Sequence, residues 1–158
     1  LGSAIAIVVG QLLGAGRLEE AVDTDRKMIV FSVFCCVVIG GMMSLFAPLF
    51  PQLYNTSEMV RHRAADFIRV ASLCMPLYGF MHATYFTLRS GGKTIITFLF
   101  DSVYVWVASI PLAFLLTTYA PLDILLIYLI VQLAEIIKCI IGYILVKKRV
   151  WVNNVVAE

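Results

Sequence analysis

The chain has 158 residues, 61% of them hydrophobic and 14% charged, with a mean hydropathy of +0.95 and a formal net charge of +2. Soluble domains are about half apolar and about a quarter charged, so this composition describes an integral membrane protein. The small net charge, spread over loops, gives no sign of a nucleic-acid partner, and the four cysteines form neither a C-x-x-C pair nor a cluster with histidine, which leaves Cys35, Cys36, Cys74 and Cys139 as packing residues.

The chain opens at Leu1 inside an apolar run, and residues 1–13 read as the truncated end of a helix that closes at Gly14-Ala15-Gly16. With no basic segment before that run and no small-residue cleavage site after it, a signal peptide is a poor description, and a fragment of a longer protein a better one. Residues 17–27 carry both charge signs and read as a loop in water. The uncharged stretch 28–50 is the first complete span, with Gly40-Gly41 available for close helix packing and Pro48 and Pro51 at its end. Asn55 stands as an N-cap with Glu58 three residues on, in the pattern of a capping box. A second span, 70–88, contains Pro76 and His82 and closes in the turn Arg89-Ser90-Gly91-Gly92-Lys93. Spans 94–119 and 122–146 follow, separated by Ala120-Pro121, and the chain leaves the last one through Lys147-Lys148-Arg149 and Trp151, a basic and aromatic interface signature. The fold expected over residues 1–158 is therefore an all-α integral membrane bundle, polytopic, with about four complete transmembrane helices plus the end of a fifth.

Counting Lys and Arg on alternate sides gives Arg17, Arg26, Lys27, Arg89, Lys93, Lys147, Lys148 and Arg149 on one and Arg61, Arg63 and Arg69 on the other. The positive-inside rule makes the first side cytoplasmic, with the C-terminus inside.

Three ionisable residues lie inside the last two spans: Asp101, Glu135 and Lys138. A carboxylate at the centre of a membrane helix costs roughly 2.5–3.5 kcal/mol on insertion scales, so each needs a partner, water or a role. Helix rise places Asp101 about 12 Å, Lys138 about 13 Å and His82 about 10 Å from the cytoplasmic face, with Glu135 about one turn deeper, near the level of Tyr78 and Trp106. This predicts a polar layer of Asp101, Lys138, Glu135 and His82. Asp101 is the expected partner of Lys138 and Glu135 the acid left over, because one lysine does not compensate two carboxylates. The same residues also suit a purely structural role, neutralising one another inside a packed bundle. Pro111 and Pro76 remove backbone donors opposite the carbonyls of Val107 and Ser72, as helix breaks in transporters and ordinary membrane helices both do. Gly92-Lys93-Thr94 lacks the earlier glycine and the strand of a phosphate loop, and no nucleophile stands at a plausible spacing from a base, so neither an enzyme, nor a metal site, nor a cofactor is indicated.

One ordered set of short motifs runs through the chain: Gly10-Gln11-Leu12-Leu13-Gly14-Ala15-Gly16 with Glu20-Ala21, then Ala47-Pro48 and Leu53-Tyr54-Asn55, then Leu88-Arg89-Ser90-Gly91-Gly92-Lys93-Thr94, then Asp101, Trp106 and Ile110-Pro111-Leu112-Ala113. From Leu1 to Trp151 this resembles the C-terminal third of a multidrug and toxic compound extrusion (MATE) transporter. The resemblance implies a twelve-helix protein of two six-helix lobes, of which this chain holds the end of the eighth helix and helices nine to twelve, with an N-terminal lobe as partner. It implies export of organic, often cationic, compounds from the cell across the plasma membrane in exchange for protons or sodium ions. One branch of the family has an acidic cation-site residue after the proline of the tenth helix; here that neighbourhood is Pro76-Leu77-Tyr78, without a carboxylate, so that site is not carried over. Asp101 and Glu135 are left as the cation-binding or protonatable groups, tuned by Lys138, with Tyr78 and Trp106 as aromatic surface for a cationic substrate. A lipid-linked saccharide flippase of the same superfamily and a non-transporting membrane assembly subunit are the alternatives.

Overall fold

The computed structural model describes residues 1–152, apart from the side chain of Phe100, and every described secondary-structure element is helical. The helices are α1 (Gly2–Gly14), α2 (Leu18–Phe46), α3 (Glu58–Ser90), α4 (Thr94–Phe98), α5 (Ile110–Tyr119), α6 (Ile124–Ala134) and α7 (Ile136–Lys147). Two π-helical turns, Leu99–Val103 and Val105–Ser109, join α4 to α5 into one segment, and a single non-helical residue, Glu135, separates α6 from α7. Three segments are long and apolar enough to cross a membrane: Leu18–Phe46, Thr94–Tyr119 and Ile124–Lys147.

The expected span 70–88 lies inside α3, which is longer than those three and less apolar. The reason is its place at the centre of the bundle, against α1, α2 and α7. Ser72, Thr84 and Thr87 are buried there, each hydroxyl bonded to a carbonyl one turn back: Ser72 to Ile68 at 2.6 Å, Thr84 to Met81 at 2.9 Å and Thr87 to Ala83 at 3.0 Å. Satisfied in this way, polar side chains are tolerated at helix contacts within a membrane protein.

Small residues let α2 and α3 approach. A Cβ on Gly40 would meet the carbonyl oxygen of Ser72, and one on Gly79 would meet the side chain of Cys36. Ser72 is the residue whose carbonyl loses its helical donor at Pro76. That carbonyl is thus packed directly against a glycine of the neighbouring helix, a close contact only a residue without a side chain permits.

The charged stretch 17–27 is helix and not a loop. Glu19 and Glu20 occupy the first turn of α2, where they complement the helix dipole, and Lys27 reaches Asp23 one turn back at 2.5 Å. Its inward stripe is Ala21, Asp25, Ile29 and Ser32, all buried. The capping expectation also shifts by two residues: Ser57 is the N-cap of α3, accepting from the amide of Val60 at 3.5 Å.

All the junctions expected on the more basic side gather at one end. Gly16 and Gly92 take positive φ (73° and 74°) as α1 and α3 close, and Arg149 does so (54°) past the end of α7. There Arg149 meets Glu19 at 2.7 Å. Trp151 is 1% exposed, packed in the core with Ile5, Leu13, Ala83 and Leu88, and its backbone lies where a side chain on Gly91 would have to be. It is a core residue and not an interfacial anchor. At the opposite end Arg63 bonds Asp123 (2.6 and 2.8 Å), tying the start of α3 to the junction before α6.

Candidate ion-coupling site

The polar layer forms where two helices lose their regular backbone. Asp101 lies within the first π turn and Ser109 ends the second, while Glu135 is the break between α6 and α7. Single π turns inside α-helices cluster at functional sites, because the extra residue per turn re-aims the side chains around it.

Around Glu135 the contacts are specific. Its Oε2 stands 2.7 Å from Lys138 Nζ, one helical turn on, and its Oε1 accepts a hydrogen bond from Ser109 Oγ at 3.0 Å. The i, i+3 geometry makes this an ion pair without a well-directed hydrogen bond at Oε2. Lys138 is 3% exposed, and its ammonium lies 5.0 Å from the centre of the Tyr104 ring. The Tyr104 hydroxyl donates in turn to the carbonyl of Ala134 at 2.7 Å, immediately before the break.

Asp101 joins the layer from the side. Its Oδ1 is 4.0 Å from Lys138 Nζ and its side chain is 60% exposed. The depth count therefore put Asp101, Lys138 and Glu135 together correctly, but the pairing is the reverse of the expected one. Glu135 is the direct partner of Lys138, since the two share one helix and one face, and Asp101 is the acid left largely open.

Tyr78 adjoins the layer through a chain of polar groups: its hydroxyl donates to Gln132 Oε1, and Gln132 Nε2 donates to Tyr128 at 2.8 Å. His82 does not join it. It is exposed and lines a separate cavity of about 260 Å³ with Ser32, Cys36, Met75 and Gly79, which Tyr78 also borders. Trp106 is 72% exposed on the outer side of the second π turn, away from these contacts.

A protein-family model, MatE, matches residues 1–115. The chain belongs to the MatE family. As a MatE chain it is part of a multi-pass membrane transporter. Neither a curated protein nor a solved structure gives a match. The matched region contains Tyr78, His82, Asp101 and Trp106 and ends before Glu135 and Lys138, so the ion pair stands on the segment of this MatE chain beyond the match.

Sequence reasoning missed the supporting residues of the layer. Tyr128, Gln132 and Glu135 recur at helical spacing and signal one polar stripe, whereas nothing in the spacing reveals that Ser109 and Tyr104 turn towards it, because that depends on the π turns. It also missed Asp25, assigned to water, which is 1% exposed and accepts a hydrogen bond from Thr87 at 2.5 Å.

Proposed function

We propose that this chain forms part of the C-terminal lobe of a secondary active efflux transporter that exports organic, often cationic, compounds in exchange for protons or sodium ions, with its C-terminus in the cytoplasm and the plasma membrane as its site. The observation that carries the reading is the arrangement of two carboxylates around one buried lysine at paired backbone irregularities. A pair serving only to neutralise charge needs one acid. Here the lysine already has Glu135 at 2.7 Å, and a second acid lies at 4.0 Å with most of its side chain open.

An ionised Asp101 facing hydrocarbon would be costly, so its exposed face belongs to water, to substrate or to the other lobe. The best apolar window of Thr94–Tyr119 has no buried residue within this chain, which leaves that helix free to present Asp101 to such a cleft. Lys138 is then shared between two acids. Cation or proton binding at Asp101 leaves the lysine with Glu135; binding at Glu135 releases it towards Asp101, and the two states differ in how the π-turn helix is held against the last one. Tyr78 and Trp106 provide aromatic faces for a cationic substrate.

The test is flux. In proteoliposomes of the full-length protein, Glu135→Gln and Asp101→Asn should each abolish efflux driven by an imposed proton or sodium gradient while folding is retained. Undiminished efflux from both variants would overturn the assignment. Movement of a lipid-linked saccharide without gradient dependence would favour a flippase, and absence of any flux in the wild type an assembly subunit.

A further inference from the structure

We propose that Asp25 and Thr87 form a proton-binding site in the seam between α2 and α3, separate from the Glu135 layer and opening towards the end of the bundle where Lys147 and Arg149 lie. Asp25 is 1% exposed and Thr87 fully buried, beside Ala21, Ile29, Ala83 and Leu88 of the apolar core. Among the described residues Asp25 enters no ion pair. Its one hydrogen-bonding partner is a neutral hydroxyl, which cannot compensate a buried charge as a cation would.

The hydroxyl itself indicates a proton. Thr87 Oγ1 has a single hydrogen, yet two acceptors are within reach: Asp25 Oδ1 at 2.5 Å and the Ala83 carbonyl at 3.0 Å. Both contacts are hydrogen bonds at once only if Asp25 is a carboxylic acid. It then donates to Thr87, and Thr87 donates to Ala83. Ionised, Asp25 takes the Thr87 hydrogen for itself and leaves the Ala83 contact empty. Adding one proton to the carboxylate thus completes the chain and removes the buried charge in the same step.

A route for that proton exists. Asp25 also lines a cavity of about 440 Å³ whose other polar residues are Arg26 on its own helix, Tyr143 and Lys147 on α7, and Arg149 beyond it. From α3 the cavity receives Phe80, and α1, the remaining neighbour, has no titratable side chain. Arg149 is held by Glu19, and Lys147 lies over the Tyr143 ring, 5.6 Å from its centre. Closing the cavity brings these cations nearer the carboxyl and expels its proton; opening it lets the proton return. Occupancy of the site is thereby coupled to the separation of α2 and α7. This deepens the antiport reading by adding a proton site at the end of the bundle, but proton binding itself does not require that transport occurs.

Infrared spectroscopy of the purified full-length protein tests it without any transported substrate. The expected result is a protonated-carboxyl C=O absorption that titrates away as pH rises, is missing from Asp25→Asn, moves to higher frequency in Thr87→Val as its hydrogen bond is lost, and stays in place in Thr87→Ser and Glu135→Gln. An Asp25 that absorbs as a carboxylate at every pH where the protein is folded overturns the proposal, as does a band that Asp25→Asn leaves intact. If Thr87→Val does not fold, substitution of deuterium for the exchangeable protons replaces it: a hydrogen-bonded acid shifts its band and a carboxylate does not. Loss of gradient-driven efflux with this band intact counts against the transport reading and leaves the proton site standing.

Discussion

The α2–α3 seam and the hairpin of residues 94–147 both place acids inside apolar helices, and they hold them in opposite ways. In the seam the backbones are regular, glycines bring them into contact, and Asp25 is sealed in with one hydroxyl. In the hairpin the backbone is interrupted three times, the pair Glu135 and Lys138 is buried, and Asp101 is left open. Close packing makes a polar group a fixture of the fold, whereas irregular backbone at a thinly covered edge leaves it able to change partners. The seam is the frame and the hairpin the moving part.

That contrast is broken most sharply at Lys138. Replacing it with methionine leaves Glu135 buried without a counter-charge, a change that costs about 3–5 kcal/mol when one member of a buried pair is removed. The thermal unfolding midpoint of the purified protein should fall markedly for Lys138→Met and recover in large part in Lys138→Met with Glu135→Gln. Asp101→Asn should barely move it, because the Asp101 side chain is 60% exposed and 4.0 Å away. Equal losses from Lys138→Met and Asp101→Asn would mean that the lysine is held by Asp101 after all.

The seam is probed by two adjacent glycines. A methyl group on Gly40 runs into the Ser72 carbonyl, whereas one on Gly41 meets nothing within 4 Å. Overpacking of this kind typically costs about 1–3 kcal/mol, while relieving a mid-helix glycine gains up to about 1 kcal/mol. Gly40→Ala is therefore expected to lower the unfolding midpoint and Gly41→Ala to leave it level or raise it slightly. If both behave alike, the helices are not in close contact at that level.

The sequence made the helices, their turns and the depth of the polar layer legible, because these follow from apolar run lengths, glycine and proline positions and a fixed rise per residue. Gly16 and Gly92 fell where the chain needs positive φ, and Asp101 and Lys138 fell at one depth. What it hid was rotation about the helix axes. Two π turns and the break at Glu135 shift the facing of everything after them, which is why Ser109 and Tyr104 meet the layer and His82 does not. Charge density misled in a different way. Residues 17–27 look like a solvated loop because most of their charges are exposed, yet the one that points inward, Asp25, does so at the helical spacing of Ala21 and Ile29. Trp151 was read as an interfacial anchor from its basic neighbours, but Gly91 leaves room for it in the core.

The smallest effect belongs to the far end of the hairpin, where it is tied to the frame through Arg63 and Asp123. The amide of Leu125 and then the Arg63 guanidinium hold the Asp123 carboxyl below its ordinary value of 3.8. A carboxylate whose folded value is depressed contributes stability that is fully present above the unfolded value and is lost as pH falls through the folded one. The acid limb of the stability profile should therefore steepen below about pH 4 in the wild type. Arg63→Gln should make that limb shallower without removing it, since the Leu125 amide still caps the helix at 3.0 Å. Above that window the two proteins should differ little, because an exposed pair of this kind is largely screened by water and salt. A difference that grows towards neutral pH would place the contribution of Arg63 somewhere other than on Asp123, and the hairpin would then be anchored to the frame at one end only, through Arg149 and Glu19.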